Sequence, residues 1–327
     1  MTFGFFGKFI GALALMTTAA SAQDRITLQV GYSPGGSYDM NARLAAQHLG
    51  RFLPGNPEII VENVPGAGSL LLARQIIAGS NEDGATMATV SSALALYPVF
   101  QPDSDDFSPD DVHYIASMSN VASYCVTLKT SEYDTVDALL NSPDAKVGAT
   151  GRSSTTYTYP AALRGALGGQ FEIVTGFKGG NEVLLAMERG EVDARCGIGI
   201  NTIMRLGMLE THNMIAELAP EPTNEMEGPV FALDLAPDEE TRAAMRLVFG
   251  PSGIHHPVVV SASTPPELVE QLRDAFVAMG QDAQFIEDNE AQNRYITIMR
   301  GDLVEQEIEA LLNAPAEVRD LARSFVQ

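Results

Sequence analysis

Short stretches of glycine, serine, threonine and a few cations recur along this chain, each following an apolar run, and together they have the chemistry of an anion grip. The first is Gly31-Tyr32-Ser33-Pro34-Gly35-Gly36-Ser37. Its glycines let the backbone turn sharply and leave N–H groups uncovered. Its serines add hydroxyl donors, and Ser37 or Asp39 can accept hydrogen bonds from the first turn of a following helix. Exposed N–H groups ahead of a helix start, with the helix dipole behind them, form a receptacle for negative charge. The alternative is an ordinary βα turn that binds nothing. A second such loop is Pro65-Gly66-Ala67-Gly68-Ser69, a third ends at Ser91-Ser92, and a fourth is Thr150-Gly151-Arg152-Ser153-Ser154-Thr155-Thr156. Arg152 in the fourth loop could hold a carboxylate in a two-pronged fork; its alternative is an exposed arginine beside an N-cap.

The elements around these loops explain why they should converge. Ile26–Val30 reads as a strand, and Ala42, Ala45, Leu49 and Phe52 recur at helical spacing after it. Glu58–Val61 and Thr86–Val90 are further strands, each followed by a helical pattern. Three βα units in a row predict a parallel sheet, whose ligands sit beyond the carboxyl ends of the strands, where all three loops fall. A new series begins at Tyr124–Leu128 and continues through Lys146–Ala149, Phe171–Val174 and Ala194–Ile198. Gly176-Phe177-Lys178-Gly179-Gly180-Asn181 is one more glycine loop ahead of a helix. Pro237–Phe249 is helical, His256–Val260 is a strand, and the helices Leu268–Met279 and Val304–Leu312 read as a tail docking back on the first domain.

With 327 residues, 45% of them hydrophobic, the chain can bury a core in two domains or one large one. Met1–Ala22 reads as a secretory leader: Lys8, an apolar run from Phe9 to Ala20, and Ala20-Ser21-Ala22 as the cleavage site. That places the mature protein outside the inner membrane. The net charge of −22 repels nucleic acid and anionic membranes. Any anion pocket must therefore be locally positive against the global field. Cys125 and Cys196 enter an oxidising compartment, where they form either a disulfide or two separate buried thiols. Asp103, Asp105 and Asp106 lack the glycine and closing glutamate of a calcium loop, and His255-His256 has no third ligand at a recognisable spacing. No metal or cofactor is expected. A hydrolase would need G-x-S-x-G, and Gly151-Arg152-Ser153-Ser154-Thr155 lacks the last glycine. Phosphate and dinucleotide fingerprints and H-E-x-x-H are also missing, so an exported α/β hydrolase is the weaker reading.

Taken in order, the loops resemble the receptor family of tripartite tricarboxylate transporters, the Bug-type solute-binding proteins. The resemblance is carried by Val30–Asp39 with Ala42-Arg43, Val61-Glu62-Asn63, Pro65–Gly68, Asp83-Gly84 with Thr86, Gly176–Gly180, Gly190-Glu191-Val192-Asp193 and Ala262-Ser263-Thr264-Pro265. It implies an α/β, two-domain periplasmic-binding-protein-like fold of type II. Each domain would be a mostly parallel sheet flanked by helices, with the ligand cleft between them. On that pattern 23–120 with 254–327 form one domain and 121–253 the other. The resemblance further implies a monomeric periplasmic receptor whose partners are a small carboxylate and membrane permease subunits, with a receptor of another uptake system as the near alternative. The loops and the resemblance together nominate Tyr32, Ser33, Gly35, Gly36, Ser37, Asp39, Ala67, Gly68, Ser91 and Ser92 on the first domain. On the second they nominate Thr150, Arg152, Ser153, Ser154, Thr155, Lys178, Gly179 and Asn201, with Arg152, Lys178 and Arg195 as cations for a second carboxylate. Tyr38, where a small residue is usual, and Arg195–Ile200 depart from the family pattern.

Overall fold

A computed structural model of the protein describes residues 24–327 apart from Ser80, Glu82, Asp83, Asn120, Asn224, Asn293 and Tyr295. The leader expected over Met1–Ala22 lies outside the described residues. The chain lays down β1 (Arg25–Val30), β2 (Glu58–Asn63), β3 (Thr86–Thr89) and β4 (Val112–Ser119), then crosses to a second body. There it builds β5 (Ser123–Leu128), β6 (Lys146–Ala149), β7 (Glu172–Thr175), β8 (Ala194–Gly199), β9 (His212–Leu218) and β10 (Val230–Phe231). It returns as β11 (His255–Ser261) and β12 (Met299–Arg300).

Two six-stranded sheets result, in the orders β12-β4-β11-β3-β1-β2 and β10-β9-β5-β8-β6-β7. The βα units read from the sequence form the parallel parts, β2-β1-β3 and β7-β6-β8. The strands next to the crossings, β4, β5 and β11, pair antiparallel and make the sheets mixed. Helices cover the faces, so strand residues such as Leu28, Val147 and Ala194 are wholly buried. At about 25 cal/mol per Å² of apolar surface, that burial is the main force holding each lobe.

Cys125 on β5 and Cys196 on β8 are joined by a disulfide across neighbouring strands, which resolves the open alternative. Closing a loop with a sequence separation of 71 residues removes chain entropy worth roughly 4 kcal/mol from the unfolded state. The tail differs from the expectation. Gly301–Leu312 packs along β4 of the first lobe, but a further helix, Ala316–Val326, crosses to the second. Its Ala322, Phe325 and Val326 join the core formed by Tyr159, Leu163 and Phe249. Pro315 fixes the start of this helix, and the apolar stripe then decides which lobe receives it.

The lobes meet at their loop tips. The Ser33 amide donates to the Lys178 carbonyl at 2.9 Å, Asn181 Nδ2 to the Gly35 carbonyl at 2.7 Å, and Ser153 Oγ to the Ala67 carbonyl at 2.5 Å. The molecule is therefore closed around its cleft.

Candidate functional site

The loop after β1 is fastened from behind. Asp39 is 2% exposed and accepts from the Gly35 amide at 2.8 Å, from Arg43 Nε at 3.0 Å and from Asn63 Nδ2 at 2.8 Å. Burial alone would raise its pKa. The hydrogen bonds from Arg43, Gly35 and Asn63 outweigh it and hold the carboxyl below its usual range. Asp39 thus shapes the loop without capping the first turn, and Ser37 turns its hydroxyl to His256 Nε2 at 3.0 Å. Gly35 has φ +83°, a left-handed conformation that a side chain would strain. The N-cap of Ser37–Leu49 is Gly36, and no side chain caps it. The helices Thr155–Leu167 and Gly180–Glu188 also begin uncapped at this cleft. Away from it, Thr135, Asp238 and Asp282 accept from helical N–H groups in the ordinary way. Three helix starts without a side-chain cap therefore face one cleft, with Asp39 and Glu182 in the first turns of two of them.

Between these helix starts lies a small cavity of about 30 Å³ that opens to solvent. Tyr32, Ser37 and Tyr38 line it from the first lobe, and Thr150, Thr155 and Arg195 from the second. Arg195 comes from β8 and is 6% exposed. Its Nη1 donates to the Gly180 carbonyl at 3.2 Å, while its Nε is buried with no hydrogen-bond partner among the described residues. It joins no ion pair among them. Burial lowers its pKa to about 10, against the opposing effect of Tyr32, so it stays cationic at neutral pH. A buried charge without a partner is costly, and a bound anion removes that cost. Tyr38 packs between Tyr32 and His256, with ring centroids 4.5 and 4.4 Å away, and its hydroxyl accepts from the Ser92 amide at 3.3 Å. Burial raises its pKa to about 12, keeping it a neutral donor.

A second small cavity, also of about 30 Å³, adjoins the first on the hinge side and shares Ser37, Tyr38, Thr155, Gly197 and Thr202 with it. His255 and His256 line it from the start of β11. They are buried strand residues, the strand beginning one residue before the His256 start read from the sequence. Burial pulls the pKa of His255 down to about 4, and burial with its neighbours His255 and Arg294 pulls His256 well below the usual imidazole range. Among the described residues there is no group of three or more His, Cys, Asp or Glu able to hold a metal.

The nominated residues sort into distinct places. Tyr32, Gly36, Ser37, Thr150, Thr155 and Asn201 line the two cavities. Ser33, Gly35, Gly179, Ala67, Gly68 and Ser153 make the contacts by which the lobes touch. Ser154 is spent in a closed hydroxyl set with Thr150 and Thr156, and Ser91 caps its own turn through the Ala93 amide. Ser92 and Asp39 support the wall from behind. Arg152 stacks over Tyr157 at 5.2 Å and faces a separate cavity beside Tyr97 and Phe100. Lys178 is exposed, and only its backbone meets the other lobe. Thr156, Asn181 and Gly197 also line the cleft. The first two sit at helix starts that were legible. Gly197 is placed by φ +75° inside β8, which no local pattern announces.

Comparison with known proteins matches this geometry. The family described as tripartite tricarboxylate transporter family receptor matches residues 42–211. A Cupriavidus necator protein named "UPF0065 protein in gbd 5'region" is 31% identical over 190 residues, 55% of this chain and 56% of that protein. The chain thus aligns with little more than half the length of that relative. Among solved structures, the periplasmic binding protein BugD superposes with a TM-score of 0.72 at 16% identity, over 93% of this chain and 98% of that one. A Rhodopseudomonas palustris protein solved with adipate gives 0.71 at 16%, over 91% and 97%. MatC of Rhodopseudomonas palustris, with bound malate, gives 0.65 at 19%, over 88% and 97%. At these identities the likeness is one of fold.

Proposed function

Since the chain belongs to the tripartite tricarboxylate transporter receptor family, we propose that it is a periplasmic receptor that captures a small carboxylate in the interdomain cleft and presents it to a membrane permease. Family and fold are those of solute-binding receptors, not of enzymes. The observation that carries the reading is Arg195, a buried and unpaired cation between uncapped helix starts in a chain of net charge −22. No carboxylate among the described residues pairs with it, although the protein is acidic, and that leaves this cation to a ligand. The two superposing proteins solved with adipate and malate support a carboxylate.

Binding follows from the parts. In the open form the carboxylate trades its water for the Arg195 guanidinium and N–H groups at the helix starts, with Tyr38 and Thr155 hydroxyls alongside. Charge-assisted hydrogen bonds at about 1.5–3 kcal/mol each reach micromolar affinity once closure is subtracted. Closure then removes the remaining water and is latched by Ser33 with Lys178, Gly35 with Asn181, and Ser153 with Ala67. A thermal-shift screen of small carboxylates tests the reading. A true ligand at 100 times its Kd adds about 2.7 kcal/mol, and Arg195→Met abolishes that shift. A ligand that stabilises the variant as well as the parent overturns this placement.

A further inference from the structure

Ala67 and Ser153, whose hydrogen bond joins the lobes, also line a third cavity of a different size. It measures about 350 Å³, against about 30 Å³ for each cleft cavity, and shares no wall residue with either. The first lobe supplies Leu70, Tyr97 and Phe100. The second supplies Tyr157, Thr158 and, from the last helix, Val326. Tyr97 pairs its hydroxyl with that of Ser104 at 3.1 Å, which leaves its ring for the cavity. No carboxylate lines the space, and the single charged side chain on its wall is Arg152.

Arg152 and Thr158 give this apolar space two polar points. Arg152 is exposed and stacks over the Tyr157 ring at 5.2 Å. It forms no ion pair or hydrogen bond among the described residues, so its charge stands at the solvent-facing rim without a partner. Thr158 is 2% exposed, and its Oγ1 has no hydrogen-bond partner among the described residues. A helical threonine commonly returns its hydroxyl to a carbonyl one turn back. This one does not, and a buried hydroxyl left unsatisfied costs free energy. A cavity of this volume, walled by rings and aliphatic chains with few placed polar groups, has the dimensions of a small-molecule site. We propose that it binds an amphipathic monoanion, the apolar body against Leu70, Tyr97 and Phe100 and the acidic head on Arg152. Its walls come from both lobes, so an occupant binds the closed molecule and stabilises it. Neither Arg195 nor a solute in the cleft is needed for this.

Calorimetry with 4-phenylbutanoate and with decanoate below its micellar range tests this on the unaltered protein. One offers a ring and the other a chain, and the tighter of the two names the body the cavity prefers. The better acid should bind about fivefold more tightly than its own alcohol, the gain from one charge contact at an exposed arginine. Arg152→Gln, at a surface position, should bring the acid down to the alcohol. Arg195→Met should leave the acid within about twofold of its parent value. Gly151→Ala lies outside the cavity wall but presses on Gly68 across the lobe contact, and should weaken acid and alcohol alike about tenfold. Binding of neither acid overturns the site. So does binding that Arg195→Met removes and Arg152→Gln spares, which would put the probe in the carboxylate cleft instead. Parent-like binding in Gly151→Ala overturns the dependence on closure.

Discussion

The arginines on the outside of this molecule and those in its cleft live under opposite rules. Outside, Arg300 reaches Glu270, Asp274 and Asp302, and Arg51 reaches Asp282. Inside, Arg195 has no carboxylate partner among the described residues, although burial raises the cost of standing alone. Outside, charge is placed for solubility and small increments of stability. Inside, burial makes the unpaired charge costly, a cost the proposed ligand would offset.

The comparison can be broken most forcefully at Arg195. Arg195→Met should cost at least about a hundredfold in affinity, in line with about 3–5 kcal/mol for removing one partner of a buried pair, while leaving the ligand-free protein as stable or more so. Arg300→Met should leave affinity unchanged and cost no more than about 1 kcal/mol of stability. Calorimetry and urea unfolding of both variants decide it. If Arg195→Met unfolds the protein and Arg300→Met weakens binding, the division is wrong.

A smaller effect is expected from closure alone. A Cβ on Gly151 would lie 2.5 Å from the Gly68 amide nitrogen across the lobe contact, yet the Gly151 backbone is not in the left-handed region. Gly151→Ala should wedge the lobes apart and weaken binding about tenfold, with the unfolding midpoint of the free protein unchanged.

Acid separates the buried bases. The folded chain holds His255 and His256 neutral, so their pKa values lie below the unfolded value of about 6.5. Between pH 6.5 and 4 the unfolded state takes up more protons, and stability falls as pH falls, by up to about 1.4 kcal/mol per unit for each histidine. The arginines stay charged throughout that window. Urea melts at several pH values should show the slope, and His255→Gln/His256→Asn should flatten it.

The mildest effect is kinetic. Because the net charge is −22, an anionic solute approaches against a repulsive field, and the on-rate should rise severalfold between low and physiological salt. The off-rate, set by buried contacts, should barely move. Stopped-flow binding at two salt concentrations checks this.

Sequence revealed the parts whose pattern is local. The run from β1 through Ser37–Leu49 was readable because apolar spacing and glycines announce a strand, a turn and a helix in order. β4 was not, because Val112–Ser119 is nearly all buried and shows no polar alternation. β9 escaped for a related reason: its buried Glu217 looks polar but is satisfied by Thr223 through backbone and hydroxyl at 2.8 and 2.7 Å. At the site, glycine loops pointed to the right ends of the sheets but not to which cations turn inward. Arg152, Lys178 and Arg195 look alike in a string, and only the third is carried by a central strand into the cleft.

The last helix gives an experimenter a handle on how this molecule opens. Gly301–Leu312 packs on the first lobe, while Ala316–Val326 packs into the second-lobe core and also donates from Arg323 Nε to the Val99 carbonyl of the first at 2.8 Å, so the last helix spans both lobes. A dye pair at solvent-facing Leu303 and at the terminal Gln327 would report the jaw angle from within a single short stretch of polypeptide.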